Sequence, residues 1–224
     1  RTARMDGHQT TTEAEIVVRG YTPRFLDASD HVLGIEGGHV NDPVDRGGET
    51  QFGISLRFLI AEGAIDLDHD GFADFDLDMD GDIDGADIRL LTQANARALF
   101  WRCFWQRLGC ENWPKPIGEM LFDQAVNGGA TAARKLLQRA INACLMKTRI
   151  ISRPDVLKID GVLGDHTRSA FDWVYGMANL GPSAIVIAFR DAAADRYRAI
   201  AKADPSQSRF LRGWLRRAAQ LGRG

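Results

Sequence analysis

Residues 36–55 read EGGHVNDPVDRGGETQFGIS, and the helical pattern that precedes this stretch ends where it begins. Pro23 can open a helix that Gly37 and Gly38 would end, because glycine adopts the left-handed conformation after a helix at no steric cost. Glu36 is then expected on the last turn. The stretch itself, rich in glycine and polar residues, predicts a turn region between helices.

Outward from this stretch, residues 41–48 predict a small hairpin or turn, and residues 55–62 predict a short helix. Strand-like alternation is scarce in the rest of the chain, whereas apolar residues recur at three and four positions. We therefore expect a mainly α fold, a helical bundle with one small hairpin. Further helices are predicted at 92–108, 116–127, 131–145, 165–173, 182–203 and 206–221.

The spacing of Glu36, Asp45 and Thr50 resembles the signature of glycoside hydrolase family 108, the N-acetylmuramidases of phage endolysins and bacterial secretion-activator proteins. It is also similar to the broader phage-type lysozyme pattern of Glu, Asp and Thr. This resemblance implies a lysozyme-like fold and cleavage of the β-1,4 bond between N-acetylmuramic acid and N-acetylglucosamine. It further implies that Thr50 helps Asp45 to hold the attacking water.

The chemistry of glycoside cleavage explains the need for two carboxyl groups. The leaving oxygen needs a proton, and the far side of the sugar needs a negative charge or a base for water. The negative end of a helix and nearby apolar residues would raise the pKa of Glu36, which suits a general acid. Asp45, in a polar turn, is expected to stay ionised. Taken singly, the three residues could equally be a solvated helix end, a turn former and a cap.

Four further residues are expected to bind substrate. His39 stands where the family usually has an aromatic residue such as Tyr, and Asn41 follows it in the same stretch. Asp123 and Asn127 belong to FDQAVNGG, residues 122–129, which resembles the family's Asp-x-x-x-Asn-x-Gly segment. Asn127 would hydrogen-bond an acetamido sugar, or alternatively would cap the end of its helix.

Residues 160–167, with Arg190, Tyr197 and the stretch 210–217, resemble the peptidoglycan-binding region that follows family 108 catalytic segments. The resemblance predicts three parts. These are a polar extension over 1–22, a catalytic region over 23–150 with a calcium-binding insert at 66–87, and a helical peptidoglycan-binding-like region over 151–224, packed on the catalytic part.

The insert predicts a calcium site. Asp76 to Asp87 follow the order of a calcium loop, with Gly81 at the sixth position for the sharp turn, and calcium binds six to eight oxygen ligands. Asp82 would offer its backbone carbonyl and Asp84 a water-mediated contact. Asp in place of Glu at the last position is similar to dockerin-type loops. The ligand positions of this second loop are Asp76, Asp78, Asp80, Asp82, Asp84 and Asp87.

Upstream, Asp66, Asp68 and Asp70 begin the same pattern, but Leu77 occupies its twelfth position. We expect this first loop to be degenerate and completed by Asp76 or Asp78. The alternative for the whole insert is a solvated acidic loop without metal. Since so many clustered like charges repel one another, a structural or regulatory calcium ion is favoured.

Charge and composition add limits. The net charge of −2 hides an asymmetry, since 28 basic residues stand against 20 acidic ones outside the ten insert aspartates. A cationic body suits a polyanionic partner, and by charge alone a bacterial envelope and a nucleic acid both fit. The family resemblance implies peptidoglycan and not nucleic acid. The basic segment 209–223 would contact the envelope, or would be a solvated amphipathic helix. The three cysteines fit no metal spacing and are expected to be buried thiols.

The polar start lacks a signal peptide pattern, so we expect the protein to be made in the cytoplasm and to act in the periplasm or cell wall. We also expect it to be a monomer. No organic cofactor is implied. Two other functions fit the same residues. A lytic transglycosylase also uses one Glu, although Asp45 and Thr50 argue against it. A non-catalytic, calcium-dependent wall-binding module would keep the motif as a scaffold.

Overall fold

The structure is a computed structural model that describes residues 20–35, 49–67 and 69–223. The described residues are mainly helical and form two compact units, one ending at Arg107 and the other beginning at Leu108. The expectation of a mainly α, lysozyme-like fold with a small hairpin is confirmed. None of the described helices is long and apolar enough to cross a membrane.

The first unit begins with α1 (Pro23–Ile35), which buries Phe25, Val32 and Leu33. A two-stranded antiparallel hairpin follows the gap in the described residues, with β1 (Thr50–Gln51) paired to β2 (Ile54–Ser55). Its two turn residues, Phe52 and Gly53, both have positive φ, 51° and 78°. This combination is the type I′ turn, whose twist suits a two-residue hairpin.

The hairpin leads directly into α2 (Leu56–Glu62). Ser55 caps this helix, because its hydroxyl accepts a hydrogen bond of 3.2 Å from the amide of Phe58. The predicted helix over 55–62 is thus observed from Leu56. The hairpin expected at 41–48 lies outside the described residues, and the described hairpin comes after it in sequence.

The insert ends in a short helix that sequence patterns did not predict, α3 (Gly85–Leu90). Next comes α4 (Gln93–Phe100), which Thr92 and Asn95 cap reciprocally, and it continues as a π-helical segment over Trp101–Gln106. Rings from both ends of the unit pack together, with Phe25 4.8 Å from Trp101 and 5.5 Å from Trp105 between ring centroids.

The second unit contains the remaining helices, in which α6 packs against α5 and α8, and α8 packs against α9. The boundary expected near residue 150 falls within this unit, in the loop after α6. Cys103, Cys110 and Cys144 are free and buried, as expected. The helices of this unit are α5 (Ile117–Gly128), α6 (Ala130–Lys147), α7 (Asp165–Gly176), α8 (Gly181–Ala203) and α9 (Leu211–Gln220).

α7 begins at Asp165, where the sequence predicted a helix start, with Gly164 in the N-cap position. A single helix was expected over 206–221, but residues Pro205–Phe210 form a 3-10 turn before α9 begins. The carboxylate of Asp204 accepts hydrogen bonds from the amide and hydroxyl of Ser206, which stabilises the tighter turn.

Candidate active site and aspartate-rich insert

Thr50 is the one predicted catalytic residue within the described residues. It is half-buried on β1, where it pairs with Ser55. The predicted acid Glu36, the predicted partner Asp45, and the predicted substrate contacts His39 and Asn41 lie outside the described residues. Within the described part of this unit, the candidate site therefore centres on the hairpin of β1 and β2, which we call the catalytic hairpin because it carries the predicted catalytic residue Thr50.

Both neighbours of Thr50 bond to the end of the insert. The carboxylate of Glu49 accepts from Nη1 of Arg89 at 3.0 and 3.1 Å. The side-chain amide of Gln51 donates to the carbonyl of Leu91 at 2.7 Å and to that of Arg89 at 3.4 Å. We call these four residues, Glu49, Gln51, Arg89 and Leu91, the hairpin clamp. Sequence reasoning missed the clamp, because its partners are about forty positions apart.

In the second loop, the backbone turn folds around the carboxylate of its first aspartate, Asp76. Asp76 is buried and accepts from the amides of Asp80 at 3.1 Å and Gly81 at 2.9 Å. Gly81 has a φ of 103°, so a side chain there would be strained, as the predicted sharp turn requires. Ligand oxygens of Asp76, Asp78 and Asp80 lie within 4.8 Å of one another. Such spacing allows one ion to reach all three.

The last carboxylate of the second loop closes it. Asp87 is 1% exposed and accepts from the amide of Leu77 at 2.6 Å with one oxygen. Its other oxygen accepts from the amide of Asp84 at 2.8 Å. Asp84 in turn caps α3 through the amide of Ala86. The structure therefore brings the oxygens of Asp76, Asp78 and Asp80 together, whereas both oxygens of Asp87, on α3, bond to backbone amides of the loop.

The first loop repeats the same bonds. Asp66 accepts from the amides of Asp70 at 3.2 Å and Gly71 at 3.1 Å, as Asp76 does ten residues later. Asp74 accepts from the amide of Leu67 at 3.1 Å. This is the bond that Asp87 makes in the second loop. In the described hydrogen bonds Asp74 therefore closes the first loop, and the completion of its metal ligands by Asp76 or Asp78 stays a prediction. Asp68 lies outside the described residues.

Neighbouring carboxylates in the second loop repel one another, and this repulsion raises the pKa of one of them. The charge of Asp80 raises the pKa of Asp82 above its usual value, with smaller contributions from burial and from other aspartates. A bound cation would offset this repulsion, because it supplies the opposite charge at close range.

The near end of the insert is held at Glu62, the last residue of α2. Its carboxylate accepts from Nη1 of Arg107 at 2.8 Å and from the thiol of Cys103 at 3.6 Å. The hydrogen bond from Arg107 lowers the pKa of Glu62. Arg102 donates to the backbone carbonyl of Glu62. Arg102 and Cys103 lie in the π-helical segment, and Arg107 directly follows it.

The two predicted substrate contacts in the second unit belong to a buried polar network. Asp123 is 6% exposed and accepts from Nε of Arg217 at 3.1 Å. The hydroxyl of Tyr197 lies 3.0 Å from the side-chain oxygen of Asn127 and 3.2 Å from that of Gln124. Burial raises the pKa of Tyr197, so the hydroxyl stays a proton donor at neutral pH.

One arginine of the basic C-terminal segment, Arg217, is mostly buried. Its side chain is 9% exposed, because it lies on the same helical face as Trp214, Ala218 and Leu221. The sequence held this signal, since those positions are separated by three and four residues. Any envelope contact of α9 therefore rests on exposed arginines such as Arg212 and Arg216. That contact stays a prediction.

Comparisons with known proteins agree with this architecture. Residues 29–129 match the family described as Glycosyl hydrolase 108, and residues 132–219 match the one described as Predicted Peptidoglycan domain. The solved structure of Brucella abortus SagA is similar to this chain, with 25% identity and a TM-score of 0.62, over 88% of this chain and 91% of that one. No curated protein sequence matches the chain.

The fold and the two matches define a glycoside hydrolase that acts on peptidoglycan. More specifically, residues 29–129 form a glycosyl hydrolase 108 region, and residues 132–219 form a C-terminal peptidoglycan-binding region. The resemblance read from residues 36–55 is confirmed at this level, since the whole motif lies inside the matched range. Peptidoglycan is its partner, and the cell wall is where it acts.

Proposed function

We propose that this peptidoglycan hydrolase is an N-acetylmuramidase that cleaves the β-1,4 bond between N-acetylmuramic acid and N-acetylglucosamine. The observation that carries the proposal is the family match over residues 29–129, which contains the entire Glu, Asp and Thr string. The three residues supply the groups that glycoside hydrolysis needs, which are an acid, a carboxylate and a water-orienting hydroxyl.

In this proposal Glu36 is the general acid. It follows directly after α1, whose last described residue is Ile35 and whose Val32 and Leu33 are buried. A helix C-terminus carries partial negative charge, and apolar surroundings disfavour ionisation, so both raise the pKa of a carboxyl there. The protonated form then donates to the leaving oxygen. Asp45 stays ionised and holds the attacking water with help from Thr50.

The type I′ turn beside Thr50 supports this role. A two-residue turn fixes the register of its strands, so Thr50 pairs with Ser55 and not with a neighbour. The capped start of α2 at Ser55 anchors the other strand. A hydroxyl that orients water must be held in one place, because small displacements of reacting groups reduce rates strongly.

The test is turnover of purified sacculi by Glu36→Gln, which keeps the shape of the side chain but cannot deliver a proton. We expect at least about a 100-fold loss, as for general acid catalysis. Asp27→Asn is the matched control, since it removes an exposed carboxylate from α1, the helix that precedes Glu36 in the sequence. If Glu36→Gln kept more than about one hundredth of the activity, Glu36 would not be the acid.

Product analysis separates this proposal from its rivals. Mass spectrometry of digested peptidoglycan is expected to show reducing ends. Anhydro ends would identify a lytic transglycosylase instead, and the absence of fragments would identify a wall-binding module. Asp45→Ala should lower turnover nearly as far as Glu36→Gln, and Thr50→Ala less, since an unpositioned water still reacts slowly.

We also propose that the insert binds calcium, with Asp76 to Asp87 as the second loop. Support comes from the order of its oxygen donors, from their separation of at most 4.8 Å at Asp76, Asp78 and Asp80, and from the Asp82 repulsion that a cation would offset. Calorimetric titration of chelator-stripped protein tests it. Loops of this kind fill between about 10⁻⁷ and 10⁻³ M calcium, so no heat of binding by 1 mM would contradict the proposal.

A further inference from the structure

The catalytic hairpin is too short to be stable on its own. Within the described part of the chain each strand has two residues, which form the pairs Thr50 with Ser55 and Gln51 with Ile54. An isolated two-stranded hairpin is marginally stable at best in water. The geometry of Thr50 therefore depends on what the hairpin contacts.

Among the described residues, these contacts come from Arg89 and Leu91, at the C-terminal end of the insert. Gln51 donates to the carbonyls of Leu91 and Arg89, at 2.7 and 3.4 Å. The last four carbonyls of a helix lack partners within it, and the carbonyl of Arg89 is one of them in α3. The Gln51 amide thus stabilises the end of α3 and attaches β1 to it with the same group.

The other neighbour of Thr50 binds the same helix. The side chain of Glu49 is 11% exposed and pairs with Arg89, which is 57% exposed. A Cβ added at Gly85 would lie 2.7 Å from the Glu49 carboxylate, so this carboxylate packs against the first residue of α3. Glu49 therefore reaches the start of α3 and also its Arg89, while Gln51 reaches its end.

We propose that Gln51, together with the ion pair between Glu49 and Arg89, positions Thr50, so that the helix ending the aspartate-rich insert sets the geometry of the catalytic hairpin. This inference rests on the proposed function of Thr50. Gln51 and Glu49 act through Thr50 and are positioning residues. Since an exposed ion pair contributes little and is screened by salt, Gln51 is the stronger of the two.

The first measurement uses Gln51→Glu in the full chain, with soluble peptidoglycan strands as substrate. Glutamate has the same length but cannot donate, and it turns a carboxylate toward two carbonyls. We expect kcat to fall about 10- to 100-fold, as for a displaced catalytic group, and KM to stay within about twofold. Gln93→Glu, an exposed change of the same kind on α4, is the control and should leave both constants unchanged.

A double-mutant cycle then asks whether Gln51 acts through Thr50. In a Thr50→Ala background, Gln51→Glu should lower kcat by less than about twofold, because the group it positions is already gone. Equal losses in both backgrounds would show an independent role and overturn the inference. Where Gln51→Glu lowers the melting temperature so far that the chain unfolds, Gln51→Met, which removes the donor without adding charge, takes its place in the same cycle.

Failure of the inference and failure of the proposed function give different results. If Thr50→Ala leaves kcat unchanged, the proposed role of Thr50 is wrong. If Thr50→Ala lowers kcat but Gln51→Glu and Gln51→Met do not, Thr50 acts as proposed and the positioning by Gln51 is wrong.

Discussion

The two aspartate loops are built alike at their starts and differently at their ends. In each, the first aspartate accepts from the amides four and five residues later, and the residue before the central aspartate, His69 or Met79, has a positive φ. The closing carboxylate differs, since Asp74 comes from the first loop itself, whereas Asp87 comes from α3.

This difference decides what each loop can influence. Asp87 shares α3 with Arg89, and Arg89 belongs to the hairpin clamp. A change at the closing carboxylate of the second loop can therefore reach Thr50 through one short helix. Asp74 bonds within its own segment, since it accepts from the amide of Leu67 and donates its own amide to the carbonyl of Ile65. Two loops with similar sequences thus differ in the origin of their closing carboxylate, and that of the second loop lies on the helix that contacts the catalytic hairpin.

The largest expected effect is the stabilisation of the second loop by calcium. Calcium at a hundred times its dissociation constant adds about 2.7 kcal/mol, which corresponds to a rise of about 5–10 °C in melting temperature. Asp76→Ala with Asp80→Ala should abolish this rise. The matched pair Asp66→Ala with Asp70→Ala should retain most of it, since the second loop remains.

Each variant is compared with its own melting temperature in chelator, which removes the cost of the lost hydrogen bonds. If both double variants lose the calcium-induced rise in melting temperature equally, the two loops contribute equally and the comparison is wrong. If chelator changes neither the melting temperature nor the rate of the wild-type chain, the calcium proposal fails. If it lowers the melting temperature alone, the ion is structural and does not regulate activity.

A smaller difference is expected between the two closing carboxylates in the absence of metal. Asp87→Ala removes a buried acceptor and leaves the part-buried amides of Leu77 and Asp84 without it, at a cost of about 2–3 kcal/mol in unfolding free energy. Asp74→Ala removes a half-buried acceptor and should cost about 1 kcal/mol. Urea unfolding in chelator measures both, and a larger loss for Asp74→Ala would contradict the comparison.

The smallest effect concerns pH. Because the pKa of Asp82 is raised in the folded chain, its repulsion destabilises the fold at neutral pH and fades as pH falls through that raised value. Glu62 does not oppose this between pH 7 and 5, since its pKa is lowered and its stabilising charge is lost only under more acidic conditions.

The metal-free melting temperature should therefore rise slightly as pH falls from neutral through the raised pKa of Asp82, by less than either effect above. Asp82→Asn should remove most of the rise while keeping calcium binding, because position 7 is expected to ligate through its backbone carbonyl. A metal-free chain whose melting temperature falls over this interval would show that repulsion at Asp82 does not limit stability.

Sequence predicted best what is decided within a few residues. Ser55 and the pair Thr92 and Asn95 cap their helices as their positions suggest, because a cap needs only a side-chain oxygen and an amide two or three residues away. The start of α1 at Pro23 follows from the same local logic. The family resemblance in residues 36–55 was equally local.

The features that the sequence did not predict depend on how the backbone folds and on contacts between residues far apart in the chain. Counting positions did not predict that Asp74 closes the first loop by accepting from the amide of Leu67, or that Asp76 accepts from the amides of Asp80 and Gly81. Gln51 gives no local sign of its role, because its partners follow the whole insert.

The pairing of Asp123 with Arg217 limits how this protein can be taken apart. Asp123 falls within the match to the hydrolase family and Arg217 within the match to the peptidoglycan domain, yet the two side chains meet in the interior of one unit. A chimera that swaps residues 132–219 for an unrelated wall-binding module would leave Asp123 buried without its cation, at a cost of about 3–5 kcal/mol. Shuffling at the border between the two matches is thus disfavoured, and in relatives the two positions are expected to change together.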